Sequence, residues 1–134
     1  MALDWEEGKQ TLLKVANRIK RRGFIDLIDL LEFEKLGYTP RRIIEELRRR
    51  GAKAYTFLPS RFQVSFYVGR EKEYLIFPDV LYCSCLSKYP TNILRRRYCH
   101  HLICYLIAQA LNSVEHYYID DEHFDLIMTE LREE

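Results

Sequence analysis

Four cysteines and two histidines fall between residues 83 and 104 of this chain: Cys83, Cys85, Cys99, His100, His101 and Cys104. Thiolate and imidazole are the ligands a zinc ion takes in structural sites, four of them in a tetrahedron. The residues divide into Cys83-x-Cys85, thirteen intervening residues, and Cys99-x-His101. A Cys-x-Cys where a strand ends lets both sulfurs turn to one side as the chain bends. A Cys-x-His at the first turn of a helix sets two more ligands beside unpaired backbone amides, where the positive end of the dipole favours a thiolate. His100 and Cys104 are four apart, share a helical face and stand as alternative ligands. Three sulfurs and a nitrogen fill a zinc coordination sphere. No position then remains for a reactive water, so such a site is structural. The competing chemistry is a disulfide, Cys85–Cys99 or Cys83–Cys99. Arg outnumbers Lys in this chain, and such a bond is a real option inside cells of heat-adapted organisms.

The elements that must hold these ligands can be read around them. Asp4 and Glu7 form a capping-box pair ahead of a helix with Leu12, Leu13, Val15, Ala16 and Ile19 on one face, ended by Gly23. A second helix is predicted over 25–36, closed by Gly37. Thr39-Pro40 opens a third, with Ile43, Ile44 and Leu47 as its buried stripe, and Gly51 stops it. Period-two alternation over 61–68, a Gly69–Lys72 connection and a β-rich run from Glu73 through Tyr82 predict a hairpin whose second strand leads straight into Cys83. From about Tyr98 to Ser113 an apolar helix follows, with Leu102, Ile103, Leu106, Ile107, Ala110 and Leu111 at helical spacing. A last helix, capped at Asp120 or Asp121, carries Phe124, Leu126, Ile127, Met128 and Leu131. The fold class is therefore α+β. An N-terminal helical region (1–59), a ββα unit (60–112) and an acidic C-terminal helix (113–134) form one compact domain.

The CxC…CxH arrangement on a ββα unit resembles the SWIM-type zinc finger, over roughly residues 60–112. The resemblance implies one structural Zn2+ on Cys83, Cys85, Cys99 and His101, favours His101 over His100, and leaves Cys104 as a small buried side chain. A finger that dominates so small a chain is similar to the SWIM subunits of Shu-type complexes, which act with RecA-like recombinase paralogues in homologous recombination and DNA repair. Those subunits extend the motif to CxHxxA. Cys104 stands at the alanine position and keeps the side chain small. The resemblance thus implies a non-enzymatic binding protein whose partner is a RecA-like recombinase paralogue.

Charge suggests a second reading. The net charge of +1 divides into +4 over residues 1–59, +4 over 60–112 and −7 over 113–134. Arg95, Arg96 and Arg97, beside Lys88, Tyr89 and Tyr98, mix cations with stacking groups as nucleic-acid contacts require. Direct DNA binding or transcriptional regulation through this loop is the alternative function. The second and third predicted helices can also be viewed as a helix-turn-helix. The sequence has no Gly-rich phosphate loop and no serine-nucleophile motif. Asp120-Asp121-Glu122-His123 is more simply a helix cap than a catalytic cluster, and His116 and His123 are ordinary surface or core-edge residues. With no run of about 18 uncharged apolar residues and an acidic N-terminal stretch, the chain is expected to be intracellular and cytoplasmic, with no membrane partner. A homo-oligomer is left open.

Overall fold

A computed structural model describes residues 5–70, 72–87 and 98–132. Helix α1 (Trp5–Arg22) buries Gly8, Leu12, Val15 and Ile19, which recur every three or four residues along one face. Leu13 lies outside that face and is exposed. Asp4, half of the expected capping box, lies outside the described residues.

Helix α2 (Leu27–Lys35) starts where the Asp29 side chain turns back to accept the Asp26 backbone N–H at 3.0 Å. It is apolar on more faces than the fold covers. Phe33 is buried, whereas Leu27, Ile28 and Leu31 face solvent. In helix α3 (Pro40–Arg48), Thr39 caps the first turn by accepting from the Arg42 N–H at 3.2 Å. The residue that reverses the chain after α3 is Arg50, in the left-handed region at φ 51°, and not Gly51. Gly51 serves close approach instead. Its carbonyl accepts the Val68 N–H at 2.8 Å, and a Cβ there would stand 2.6 Å from the Val68 carbonyl oxygen.

Five strands form one sheet in the order β4-β3-β2-β1-β5. The expected hairpin is β2 (Phe62–Val68) against β3 (Glu73–Phe77), closed by the Gly69 N–H donating to the Lys72 carbonyl. The sequence reading departs from the sheet in three places. Residues 52–58, assigned to the helical region, form strand β1 (Ala52–Leu58), antiparallel to β2. Its inward alanines are too small to give a clear apolar alternation. Residues 115–120, assigned to the helical tail, form β5 (Glu115–Asp120), parallel to β1. The second hairpin strand also does not run straight into Cys83. Pro78, which cannot donate to a ladder, opens a 3-10 turn over Pro78–Val80, and Leu81 takes a left-handed φ of 53°. The chain reverses there, so β4 (Tyr82–Cys83) returns antiparallel alongside β3.

Helix α4 (His100–Ala110) lies across one face of the sheet and is buried continuously from His101 to Ala108. It joins α1 and the inward residues Ala52, Tyr67, Tyr74 and Ile76 in the main core. Each fully buried Leu or Ile along it is worth roughly 1.5–3 kcal/mol over an exposed position. Helix α5 (Phe124–Arg132) covers part of the other face, where Phe124, Ile127 and Met128 pack on Phe57, Val64 and Phe66. The architecture is α+β, with a mixed sheet between unequal helical layers.

Candidate metal centre

Cys83 is fixed first, because it ends β4 opposite Ile76. The chain then enters a 3-10 turn over Ser84–Ser87, pinned to β3 by the Leu75 N–H donating to Ser84 Oγ at 3.0 Å. That turn brings Cys85 to the same side as Cys83. On the facing element Cys99 is the N-cap of α4, and its Sγ accepts the Leu102 N–H at 3.4 Å. His101 follows in the first turn. Tyr98, just before the cap, is held by its hydroxyl donating to the Trp5 carbonyl at 3.3 Å and by its ring lying over Gly8.

These two elements bring Cys83, Cys85, Cys99 and His101 together, with their ligand atoms all within 4.8 Å of one another. Cys83 Sγ and His101 Nδ1 are 3.9 Å apart. A tetrahedron with metal–sulfur bonds of about 2.3 Å and metal–nitrogen bonds of about 2.0–2.1 Å has edges of about 3.6–3.8 Å. The donor set therefore needs only a small contraction to close on a metal ion. All four residues are buried, and all four cysteines are free thiols, so neither disulfide alternative is formed.

Electrostatics points the same way. Three thiols this close cannot all ionise without a cation beside them. The side-chain hydrogen bonds of Cys83 and then Cys85 hold Cys99 well below the ordinary thiol range, so it keeps the thiolate. Hydrogen bonding with Cys85 and Cys99, together with burial, pushes Cys83 up. For Cys85 the bond to Cys83 acts downward, but the bond to Cys99 and burial outweigh it and push the thiol up to about 12. A divalent cation would replace the two retained protons.

The alternative ligands are turned elsewhere. His100 Nε2 lies 3.9 Å from Glu46 and 3.5 Å from an Arg42 guanidinium nitrogen. Burial, then the neighbouring His101, lowers its pKa to about 4. Cys104 is buried away from the cluster, and desolvation raises its thiol pKa. Around His101 the fold supplies aromatic support that the sequence does not disclose. Tyr74 stacks on the imidazole with ring centroids 4.2 Å apart, and Tyr67 lies at 5.4 Å. Tyr67 in turn donates its hydroxyl to the buried Glu46 carboxylate at 3.0 Å. Glu46 occupies the turn after Ile43 on the buried side of α3, and that spacing is the one sequence signal that could have found it.

Other expected sites fare differently. Lys88, Arg95, Arg96 and Arg97 lie outside the described residues. Arg41 and Arg42 of α3 and Arg49 at its end each pair with a glutamate of that same segment. Asp121 does not cap the last helix. Its carboxylate accepts from the Ser60 N–H at 3.1 Å and from the Ser60 hydroxyl at 2.8 Å, which ties the β1–β2 turn to the end of β5. His116 and His123 are exposed, as expected. Among the described residues no helix is long and apolar enough to cross a membrane. The chain matches no known protein family, no curated protein and no solved structure.

Proposed function

We propose that this chain is a non-enzymatic binding protein stapled by one structural zinc ion on Cys83, Cys85, Cys99 and His101. The observation that carries the reading is the closed, buried Cys3His set on two elements that the metal would tie together. Sulfur-rich tetrahedral sites select zinc over the harder cations, and four protein ligands leave no open position for a substrate or a water. The residues themselves orient the sulfurs, exclude solvent and hold the helix start against the strand end.

The site's partner is a protein, and the resemblance of CxC…CxH to the SWIM subunits of Shu-type complexes makes that partner a RecA-like recombinase paralogue acting in recombination and repair. Supporting a protein partner, Leu27, Ile28 and Leu31 of α2 and Phe24 just before it are exposed at 64%, 58%, 49% and 57%. Apolar side chains gathered in this way mark contact surfaces. Two measurements test the proposal. Elemental analysis of the purified chain should give one zinc per polypeptide, lost in the Cys85→Ser and Cys99→Ser variants. Affinity capture from the native extract should recover a RecA-like protein, and Leu27→Glu with Ile28→Glu should lose it. A zinc-loaded chain that recovers no such protein would rule out the recombination assignment while leaving the metal assignment intact.

A further inference from the structure

The two edges of the sheet are unequal. Edge strand β4 has two residues and runs directly into the metal cluster. The opposite edge, β5, has six residues in unbroken parallel register with β1, and among the described residues no strand pairs with its outer side. A strand edge of this kind is normally blunted by a proline, a bulge or charged side chains, lysine above all. Glu115-His116-Tyr117-Tyr118-Ile119-Asp120 has no proline, lysine or bulge, and its acids stand only at its two ends. Its rings instead face water, Tyr117 at 42% exposure and Tyr118 at 70%.

We propose that β5 pairs antiparallel with β5 of a second copy about a two-fold axis through Tyr118, joining two sheets into one of ten strands. Charge selects the occupant and the register. With the axis at Tyr118, His116 of each copy faces Asp120 of the other, Tyr117 faces Ile119, and the two Tyr118 rings meet. Both facing pairs occur twice, as an isologous contact requires. The flanking pair is acidic, Glu115 facing Asp121, but each is already answered within its own chain. Glu115 is paired with Lys53 at 3.2 Å, and Asp121 is bound to Ser60. An axis between two residues is excluded by the pleat, because a two-fold normal to the sheet keeps each side chain on its own face and residues of unlike parity cannot then stand opposite. An axis at Tyr117 leaves Asp120 facing Val114 with no counter-charge.

Sedimentation velocity on the zinc-loaded full chain tests this. The wild type should sediment as a dimer. Tyr118→Lys should give a monomer with unchanged zinc content and circular dichroism, because Tyr118 is mostly exposed and a lysine blunts the edge. His116→Asp should weaken the dimer about tenfold, since each Asp120 would then face a carboxylate instead of an imidazole. The swap His116→Asp with Asp120→His should restore it. A wild type that stays monomeric up to its solubility limit overturns the proposal. So does a dimer indifferent to Tyr118→Lys, which would put the interface elsewhere. A swap that fails to restore the dimer overturns the register through Tyr118.

Discussion

Two buried polar clusters hold this fold together, and they solve the same problem by different chemistry. In one, Cys83, Cys85, Cys99 and His101 join the end of β4 to the start of α4. In the other, Asp29 of α2, fully buried, is gripped from α1 by Arg18 at 3.2 Å and by Arg22 in a short ion pair that is also a hydrogen bond. A protonated thiol is a small apolar group, so Cys83 and Cys85 need no counter-charge, and the one negative charge, on Cys99, is held by hydrogen bonds from those two thiols. A carboxylate has no such option, and burying it costs several kcal/mol unless cations come with it. The sulfur cluster therefore shifts its protons among its members, whereas the carboxylate recruits arginines. Even so, the ion-pair cluster is imperfectly satisfied. Arg18 Nε and Nη2 and Asp29 Oδ1 make no hydrogen bond of good geometry, although Arg18 Nη2 and Asp29 Oδ1 lie within ion-pair distance. A metal ion on the four sulfur and nitrogen ligands would be the more complete of the two solutions.

The largest effect should come from the sulfur cluster. Structural zinc contributes on the order of 10–16 kcal/mol of apparent binding free energy in finger peptides at neutral pH, and binding free energy there is folding free energy. A 134-residue chain with a substantial core of its own need not unfold completely without the ion. Chelation should nevertheless lower the thermal midpoint sharply and release β4 and the first turn of α4, read by amide exchange at Cys83, Cys85 and Leu102. The pH dependence follows from the thiols. Cys83 and Cys85 keep their protons near neutrality and Cys99 does not. Zinc uptake should then release about two protons, and the apparent zinc affinity should fall about 100-fold for each unit of acidification. Titration calorimetry in buffers of different ionisation enthalpy counts those protons. A release near zero would mean that the cluster stands already ionised.

The two clusters also differ in how far the sequence discloses them. Cysteine is rare, its spacing is fixed by coordination geometry, and four copies within 22 residues leave few alternatives. The Cys3His cluster was legible for that reason, and so were helices α1 to α5 and the β2–β3 hairpin, whose periodicities can be read locally. Asp29 is one acid among twenty, and nothing in Leu27-Ile28-Asp29-Leu30-Leu31 says that the acid goes in while Leu27, Ile28 and Leu31 stay out. That inversion depends on Arg18 and Arg22, one helix away. Strands β1 and β5 were missed for a related reason. β5 pairs only with β1, far earlier in the chain, and β1, although it also pairs with the adjacent β2, turns small alanines inward and so shows no apolar alternation.

The next effect in size should come from Asp29. Asp29→Ala removes the anion that Arg18 and Arg22 share, and truncating one member of a buried pair costs about 3–5 kcal/mol. The lower end applies, because Arg18 and Arg22 are a quarter to a third exposed at 25% and 28% and can turn partly to water. Urea unfolding of the zinc-loaded protein should show a loss of about 3 kcal/mol with zinc content unchanged. A loss of zinc together with stability would show that the clusters are coupled through α1, which also holds Tyr98 beside Cys99.

The smallest effect tests whether burial, rather than the pairing of arginine with carboxylate, gives the Asp29 cluster its weight. Arg41 and Glu45 make the same kind of contact at 3.2 Å, four residues apart on α3, but their side chains are 89% and 52% exposed. Water solvates both charges before and after folding, and ordering two long side chains opposes what Coulomb attraction remains. Exposed pairs at this spacing contribute about 0.3–0.5 kcal/mol. Arg41→Ala should therefore shift the urea midpoint barely beyond error, and raising the salt concentration should erase even that difference. A loss from Arg41→Ala approaching that from Asp29→Ala would overturn the contrast, because identical chemistry would then count equally in water and in the core.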